Sequence, residues 1–272
     1  MQPFLLVVNT VFGLLFRPFR SVSPVYGLVV FSFLTSALMV LAFRYTSNQK
    51  AIRRAKDRIQ AHVLAVRLFQ DQLGVVLRSY ASIAGATLAY FRHSLPPLAW
   101  MAVPILLILP QLEMRFGRAS PQPRESLLLN VQVAPNISLD DVSLRLPAGL
   151  RISAPPVRIP ERREISWRLE TDGYGDFAAE LAAAGRVFTK QMTVSADLAP
   201  LPVRRVGNPI LQALLYPSEL PLPSGSPLEA IEVRYRPRGL EFGGYRIEWW
   251  ILFLVFSFLS AMALKAVTRT EF

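Results

Sequence analysis

The chain has no cysteine among its 272 residues, so disulfides, thiolate metal sites and cysteine nucleophiles are excluded. Histidine is almost as scarce: His62 and His93 are the two present, and neither stands in the kind of cluster a metal site needs. No G-x-S-x-G, P-loop, zinc or dinucleotide-binding pattern occurs, and no histidine can be matched with a nucleophile. The expectation is a protein that is not an enzyme and uses no metal and no cofactor. Charge is also missing from three long stretches, 21–43, 94–112 and 249–264, in a chain that is 52% apolar. That clustering predicts an integral membrane protein with length left over for one soluble domain.

The first sixteen residues are apolar but lack the basic start of a signal peptide, so an uncleaved segment is expected. On a helix, Gln2, Asn9, Gly13, Arg17 and Arg20 fall on one side, with Phe4, Leu5, Val8, Val11, Phe12 and Leu15 elsewhere. A polar stripe of this kind predicts an interfacial helix over residues 1–20, with a short spanning or re-entrant segment as the alternative. Three transmembrane helices follow, over 21–43, 94–114 and 247–266, each near the roughly 20 residues that a hydrocarbon core requires. The second contains Pro96, Pro97, Pro104 and Pro110, which membrane helices tolerate. The third opens on Trp249-Trp250, read as an interfacial anchor, and closes on Lys265 and Arg269.

Between the first two spans, residues 44–92 carry nine Lys/Arg against only Asp57 and Asp71. The positive-inside rule makes this loop cytoplasmic. From Glu113 to Glu248 there are seventeen basic and sixteen acidic residues, a balance that suits a translocated domain. The topology expected is N-terminus and soluble domain outside, loop and C-terminus inside, at an inner membrane of bacterial type. Within 44–93, Ile52, Ile59, Val66, Leu73 and Tyr80 recur every seven residues, with Ala55, His62, Phe69, Val76 and Ile83 three places after each. This coiled-coil register, interrupted by Gln70-Asp71-Gln72 and Gly74, predicts an antiparallel helical hairpin. Lys50, Arg53, Arg54, Lys56 and Arg58 are candidates for contact with anionic lipid or with a ribosome, through phosphates in either case. The same cluster also fits a plain topology determinant.

Residues 119–246 change character, to short runs such as SLLLNVQV, REISWRLE, GDFAAEL, RVFTKQMTVS and EAIEVRYRP separated by turn residues. Their alternation predicts an extracytoplasmic all-β domain, an immunoglobulin-like sandwich without the disulfide, with Trp167 in its core. Seven prolines between 199 and 228 mark an extended Pro-rich arm around a short helix from Ile210 to Tyr216. The fold class is thus an α-helical membrane protein with three spans and a cytoplasmic hairpin, plus an outer β domain.

A short N-terminal helix, an N-out span, a basic hairpin and then the segment Pro97-Leu98-Ala99-Trp100-Met101-Ala102-Val103-Pro104-Ile105-Leu106-Leu107-Ile108-Leu109-Pro110 together resemble the YidC/Oxa-type membrane protein insertase superfamily. The resemblance covers about residues 1–116, with the last span as a further core helix. It implies a hydrophilic groove that passes segments of other integral membrane proteins into lipid, and hence an insertase-like subunit. Candidate groove or client-contacting residues are Ser32, Thr35, Ser36, Arg20, Arg44 and Arg92, although hydroxylated residues also serve close helix packing. No charge lies inside any span except at the ends, at Glu113, Glu248 and Lys265, and the β domain is an addition to the frame. Both features carry the alternative function: a non-catalytic scaffold subunit of a larger transporter or envelope complex, whose β domain docks an extracytoplasmic partner.

Overall fold

The structure, a computed structural model, describes residues 2–47 and 49–268. The end of the basic C-terminal tail, with Arg269, lies outside the described residues. The chain divides into two compact units. One holds the N-terminal residues through Leu28 together with Leu107–Leu252, and the other holds Val29–Leu106 with the stretch from Phe253 onward.

Six helices carry the apolar sequence. Helix α1 (Gln2–Phe16) runs into a tight turn at Arg17–Phe19 that contains Pro18. Pro24 then opens α2 (Pro24–Thr46), where a missing N–H costs nothing because the first turn has no acceptor for it. Helix α3 (Gln49–Leu68) and helix α4 (Leu73–Leu112) are joined by a four-residue turn, 69–72. The Gln72 carbonyl accepts from both Val75 and Val76, at 3.0 Å each, to start α4. Helix α5 (Pro209–Leu215) lies in the β region and α6 (Trp249–Thr268) closes the chain. Among the described residues, three helical stretches are long and apolar enough to cross a membrane: Pro24–Thr46, Leu73–Gly117 and Trp249–Ala266.

Two features of the helical unit differ from the sequence expectation. The second arm of the hairpin and the second span form one helix of 40 residues, about 60 Å long at 1.5 Å per residue. Pro96 and Pro97 do not interrupt it, since each removes a single intrahelical bond and Pro97 is itself buried. The heptad register also fails to carry across the turn. On α3 the inward stripe follows it, with Ile52 and Ala55 buried and Ile59, His62 and Val66 half-buried. On α4, Leu73 and Tyr80 are exposed, and the stripe becomes Val76, Ser79, Ile83 and Ala86. A turn restarts helical phase, so a seven-residue count cannot pass through it.

The β region has two main antiparallel sheets. The larger takes the order β4-β5-β2-β9-β8, from β2 (Ser126–Val133), β4 (Leu150–Ile159), β5 (Glu164–Thr171), β8 (Arg204–Val206) and β9 (Leu228–Arg234). The smaller is β3-β6-β7, from β3 (Ser143–Arg145), β6 (Gly175–Ala183) and β7 (Arg186–Val194). Two short pairs, β1 (Arg118–Ala119) with β10 (Arg236–Pro237) and β11 (Gly239–Phe242) with β12 (Tyr245–Glu248), lead toward α6. Alternate residues of both sheets meet in one core: Leu129 and Val131, Ile165 and Trp167, Leu181, Phe188 and Met192.

Strand β4 passes through Ala154-Pro155-Pro156, although proline supplies no N–H to a ladder. It survives as an edge strand because register shifts between Ile152 and Val157 place both prolines in the irregular stretch, where no ladder donor is required. The Pro-rich stretch 199–228 is not an extended arm. Leu201 and Leu222 are buried in the β core, so the apolar residues between its prolines fold it back onto the sheets.

Candidate functional site

The polar features of the N-terminal helix gather where α4 ends. Past Leu112 the chain makes a π-helical turn, Glu113–Gly117, whose residues from Met114 to Gly117 are buried. A Cβ at Gly117 would overlap the Glu113 carboxylate, so glycine is what allows that acid to fold back over the turn. Glu113 then accepts from Trp249 Nε1 at 2.8 Å and meets Arg118 Nε at 3.6 Å. Trp249 is therefore a buried partner of the turn, and Trp250 is the exposed member of the pair.

Across this turn sits α1. Phe16 is buried and its ring lies 5.7 Å from that of Phe116. Arg115, 3% exposed, places its guanidinium 4.5 Å from the Phe16 centroid. Asn9 links three segments: its Nδ2 donates to the Pro217 carbonyl at 2.6 Å, and its Oδ1 accepts from Gln111 Nε2, also at 2.6 Å. Gln111 Oε1 accepts in turn from Arg115 Nη1 at 2.9 Å. Asn9 and Gly13 of α1 thus face protein, while Leu6, Val7, Val11 and Leu14 on the rest of the helix are exposed. A helix in water shows the opposite arrangement.

The outer edge of β7 forms the facing wall, and it is sealed by side chains in place of a further strand. Arg205 donates to the Thr189 carbonyl, Gln191 N donates to Glu219 Oε1 at 2.8 Å, and Thr193 N donates to the Tyr235 hydroxyl at 3.2 Å. Ser120 Oγ takes the N–H of Ser195 at 2.7 Å. These bonds satisfy backbone groups that would otherwise offer an open edge. Glu219 also pairs with Lys190, whose Nζ is fully buried and donates to the Pro202 carbonyl at 2.7 Å. Burial pulls the Lys190 ammonium below its ordinary value against the opposing attraction of Glu219, and burial pushes the Tyr235 phenol above its own.

Between α1, the π turn and the β7 edge lies a cavity of about 370 Å³, lined among others by Asn9, Arg20, Arg115, Asp176, Thr193 and Ser218. Asp176 accepts from Thr193 Oγ1 at 2.7 Å. Ser218 has a buried hydroxyl with no hydrogen-bond partner.

The residues singled out from sequence fall in different places. Arg20 lines this cavity. Ser32, Thr35 and Ser36 are buried in the helical unit, at 0%, 8% and 4% exposure, and Ser36 Oγ donates to the Ser257 carbonyl at 2.8 Å. Ser32 Oγ has no partner. Arg44 and Arg92 are exposed, as are Lys50, Arg53, Arg54 and Arg58, with Lys56 half-buried. Within the helical unit, then, three of the candidates are packed inside and two lie on its surface. Sequence reasoning passed over Gln111 and Arg115, whose i, i+4 spacing at the end of an apolar helix was the available signal. No group of three or more His, Asp or Glu side chains with metal-site geometry occurs among the described residues. No protein-family model matches this chain, and no curated protein matches it. The likeness to YidC/Oxa-type insertases therefore rests on the order of its elements.

Proposed function

We propose that this chain is a membrane-embedded scaffold, holding an immunoglobulin-like β domain outside an inner membrane for a partner of that compartment while its spans contact other membrane subunits. The observation that carries this reading is the Asn9 junction, which ties the inverted α1 to the end of α4 and to the 198–218 segment of the β region. Such a junction ties the N-terminal helix and the end of α4 to the β region at one point, as a docking platform needs. The buried hydroxyls of α2 support the same reading, because they serve packing in place of lining a path. The basic hairpin faces the cytoplasm in this arrangement, on the strength of its nine Lys/Arg.

Affinity purification of the full chain in mild detergent tests the proposal: stoichiometric membrane partners, lost when residues 119–246 are replaced by a short linker, support it. Absence of any stoichiometric partner counts against it. Because the chain has no cysteine, Gln70→Cys and Asp172→Cys labelled with a membrane-impermeant maleimide report the orientation directly, with Asp172→Cys expected to react from outside and Gln70→Cys only after permeabilisation.

A second reading, insertase-like activity, is favoured by the hairpin tip. Val63, Leu64, Leu68, Phe69, Leu73 and Leu77 are all exposed there, an apolar surface on a segment expected in water, suited to receiving an apolar client. Stimulated insertion of a reporter helix into proteoliposomes, reduced by Phe69→Ser with Leu73→Ser, would favour it over the scaffold.

A further inference from the structure

Among the described residues, Arg115 is a buried cation without a countercharge. Its Nη1 donates to the Gln111 carbonyl at 3.0 Å and to Gln111 Oε1 at 2.9 Å, and the Phe16 ring lies beside it. These neutral partners disperse the charge but do not cancel it, and withdrawing an unpaired ion from water is costly. The acid nearest in sequence, Glu113, is engaged by Trp249 and Arg118. Both Arg115 bonds use one nitrogen, so the guanidinium keeps N–H donors for a ligand. Arg20 lines the same cavity and makes no ion pair among the described residues.

Ser218 is an independent sign. A buried hydroxyl lacking any partner is uncommon in a native fold, and this one belongs to the cavity wall. Asp176 is the acid among the lining residues, and Thr193 already occupies it. Two guanidiniums against one engaged carboxylate leave the cavity net positive, and a volume of about 370 Å³ admits a small anionic group.

We propose that this cavity binds a phosphate group, carried by the headgroup of an anionic phospholipid. Guanidinium forks match pairs of phosphate oxygens, and the charge-assisted bonds they make are the strong ones. Ser218 supplies a hydroxyl donor within the same wall. The lipid source follows from α1 itself, which presents Asn9 and Gly13 to the cavity and leaves Leu6, Val7 and Leu14 exposed for acyl chains. That source rests on the membrane placement proposed above; the phosphate chemistry rests on the cavity alone.

The test uses the full chain in neutral maltoside detergent, stripped of endogenous lipid and offered phosphatidylglycerol, phosphatidylcholine or inorganic phosphate, with bound species counted by native mass spectrometry. Phosphatidylglycerol is expected to be retained at one per chain, with about tenfold preference over phosphatidylcholine, equivalent to about 1.4 kcal/mol. Arg20→Gln changes an exposed residue, spares the fold, and is expected to lower retention about fivefold through loss of a charge-assisted contact. Ser218→Ala lowers it by a smaller factor, and Arg162→Gln, an exposed residue of the β region outside the cavity, leaves it unchanged. Retention against a large excess of inorganic phosphate supports the headgroup source, and displacement by phosphate overturns that source. Wild-type retention by both Arg20→Gln and Ser218→Ala, or equal retention of phosphatidylcholine, overturns the site.

Discussion

Lys190 and Arg115 are both buried cations, at 0% and 3% exposure, yet the regions around them solve the same problem differently. In the β core, Lys190 is given a carboxylate, Glu219, and a carbonyl, so the charge is balanced within the chain. At the base of α1, Arg115 is given an amide, a carbonyl and a ring. The first arrangement is complete in itself, which suits a fold that must be stable on its own. The second leaves positive potential facing a cavity, which suits a place that takes something from outside. The surrounding helices differ in the same sense: the β core is apolar within and polar without, whereas α2 buries Ser32 and Ser36, α1 half-buries Asn9, and both expose leucine and valine.

The sharpest way to break this comparison is to remove one half of the balanced pair. Glu219→Ala strands Lys190 and also frees the Gln191 N–H, and a loss of about 3–5 kcal/mol is expected for breaking a buried pair. Thermal unfolding followed by circular dichroism in detergent measures it. Adding Lys190→Met to that variant is expected to restore much of the loss, since an apolar replacement removes the stranded charge. No recovery would mean that Glu219 acts through the β7 edge and not through the ion pair.

A smaller effect is expected at the π turn. Gly117→Ala forces the flexible Glu113 carboxylate off the π turn, with a cost of about 1 kcal/mol for the hydrogen bond from Trp249 that it gives up. It also frees Trp249 Nε1, so the tryptophan emission is expected to shift. Stability lost with no spectral change would show that the turn, and not the Glu113–Trp249 bond, takes the strain.

Alkaline titration separates the two regions again. Folding holds the Tyr235 phenol protonated, its affinity for the proton raised chiefly by burial. The unfolded chain gives that proton up near pH 10. The stability linked to Tyr235 is therefore complete below about pH 10 and falls as pH climbs from there toward the raised native value. Tyr235→Phe is expected to be less stable at pH 7, by about 1 kcal/mol for the lost Thr193 bond, and to show a shallower decline above pH 10. An identical decline would exclude Tyr235 as the titrating group. The smallest effect belongs to α2: Ser36→Ala deletes one bond to the Ser257 carbonyl, for which about 0.6 kcal/mol is the average between membrane helices.

Much of the β region was legible because alternation is local. SLLLNVQV became β2, and REISWRLE became β5 with Trp167 in the core. Strand β4 was hidden by Pro155 and Pro156, because their tolerance depends on the strand lying at an edge, a property of the assembled sheet. The polar stripe of α1 was visible from spacing, but not which of its residues face protein. Of the cavity, only Arg20 stood out in sequence. Gln111 counted as part of an uncharged span, Arg115 as a charge just beyond it, and Ser218 as one residue of a Pro-rich run. Their convergence depends on contacts between segments far apart in the chain.

That distance gives the Asn9 junction a clock. Asn9 precedes Pro217 by 208 residues, and at about 5–20 residues per second of synthesis the partner carbonyl emerges about 10 to 40 seconds after the helix that needs it. During that interval the Asn9 Nδ2 donor lacks its carbonyl partner, although Gln111 is made early enough to meet its Oδ1. The newly made N-terminus is thus at its most vulnerable to proteolysis before the β domain is complete, and a nascent chain stalled short of residue 217 is the form most open to degradation.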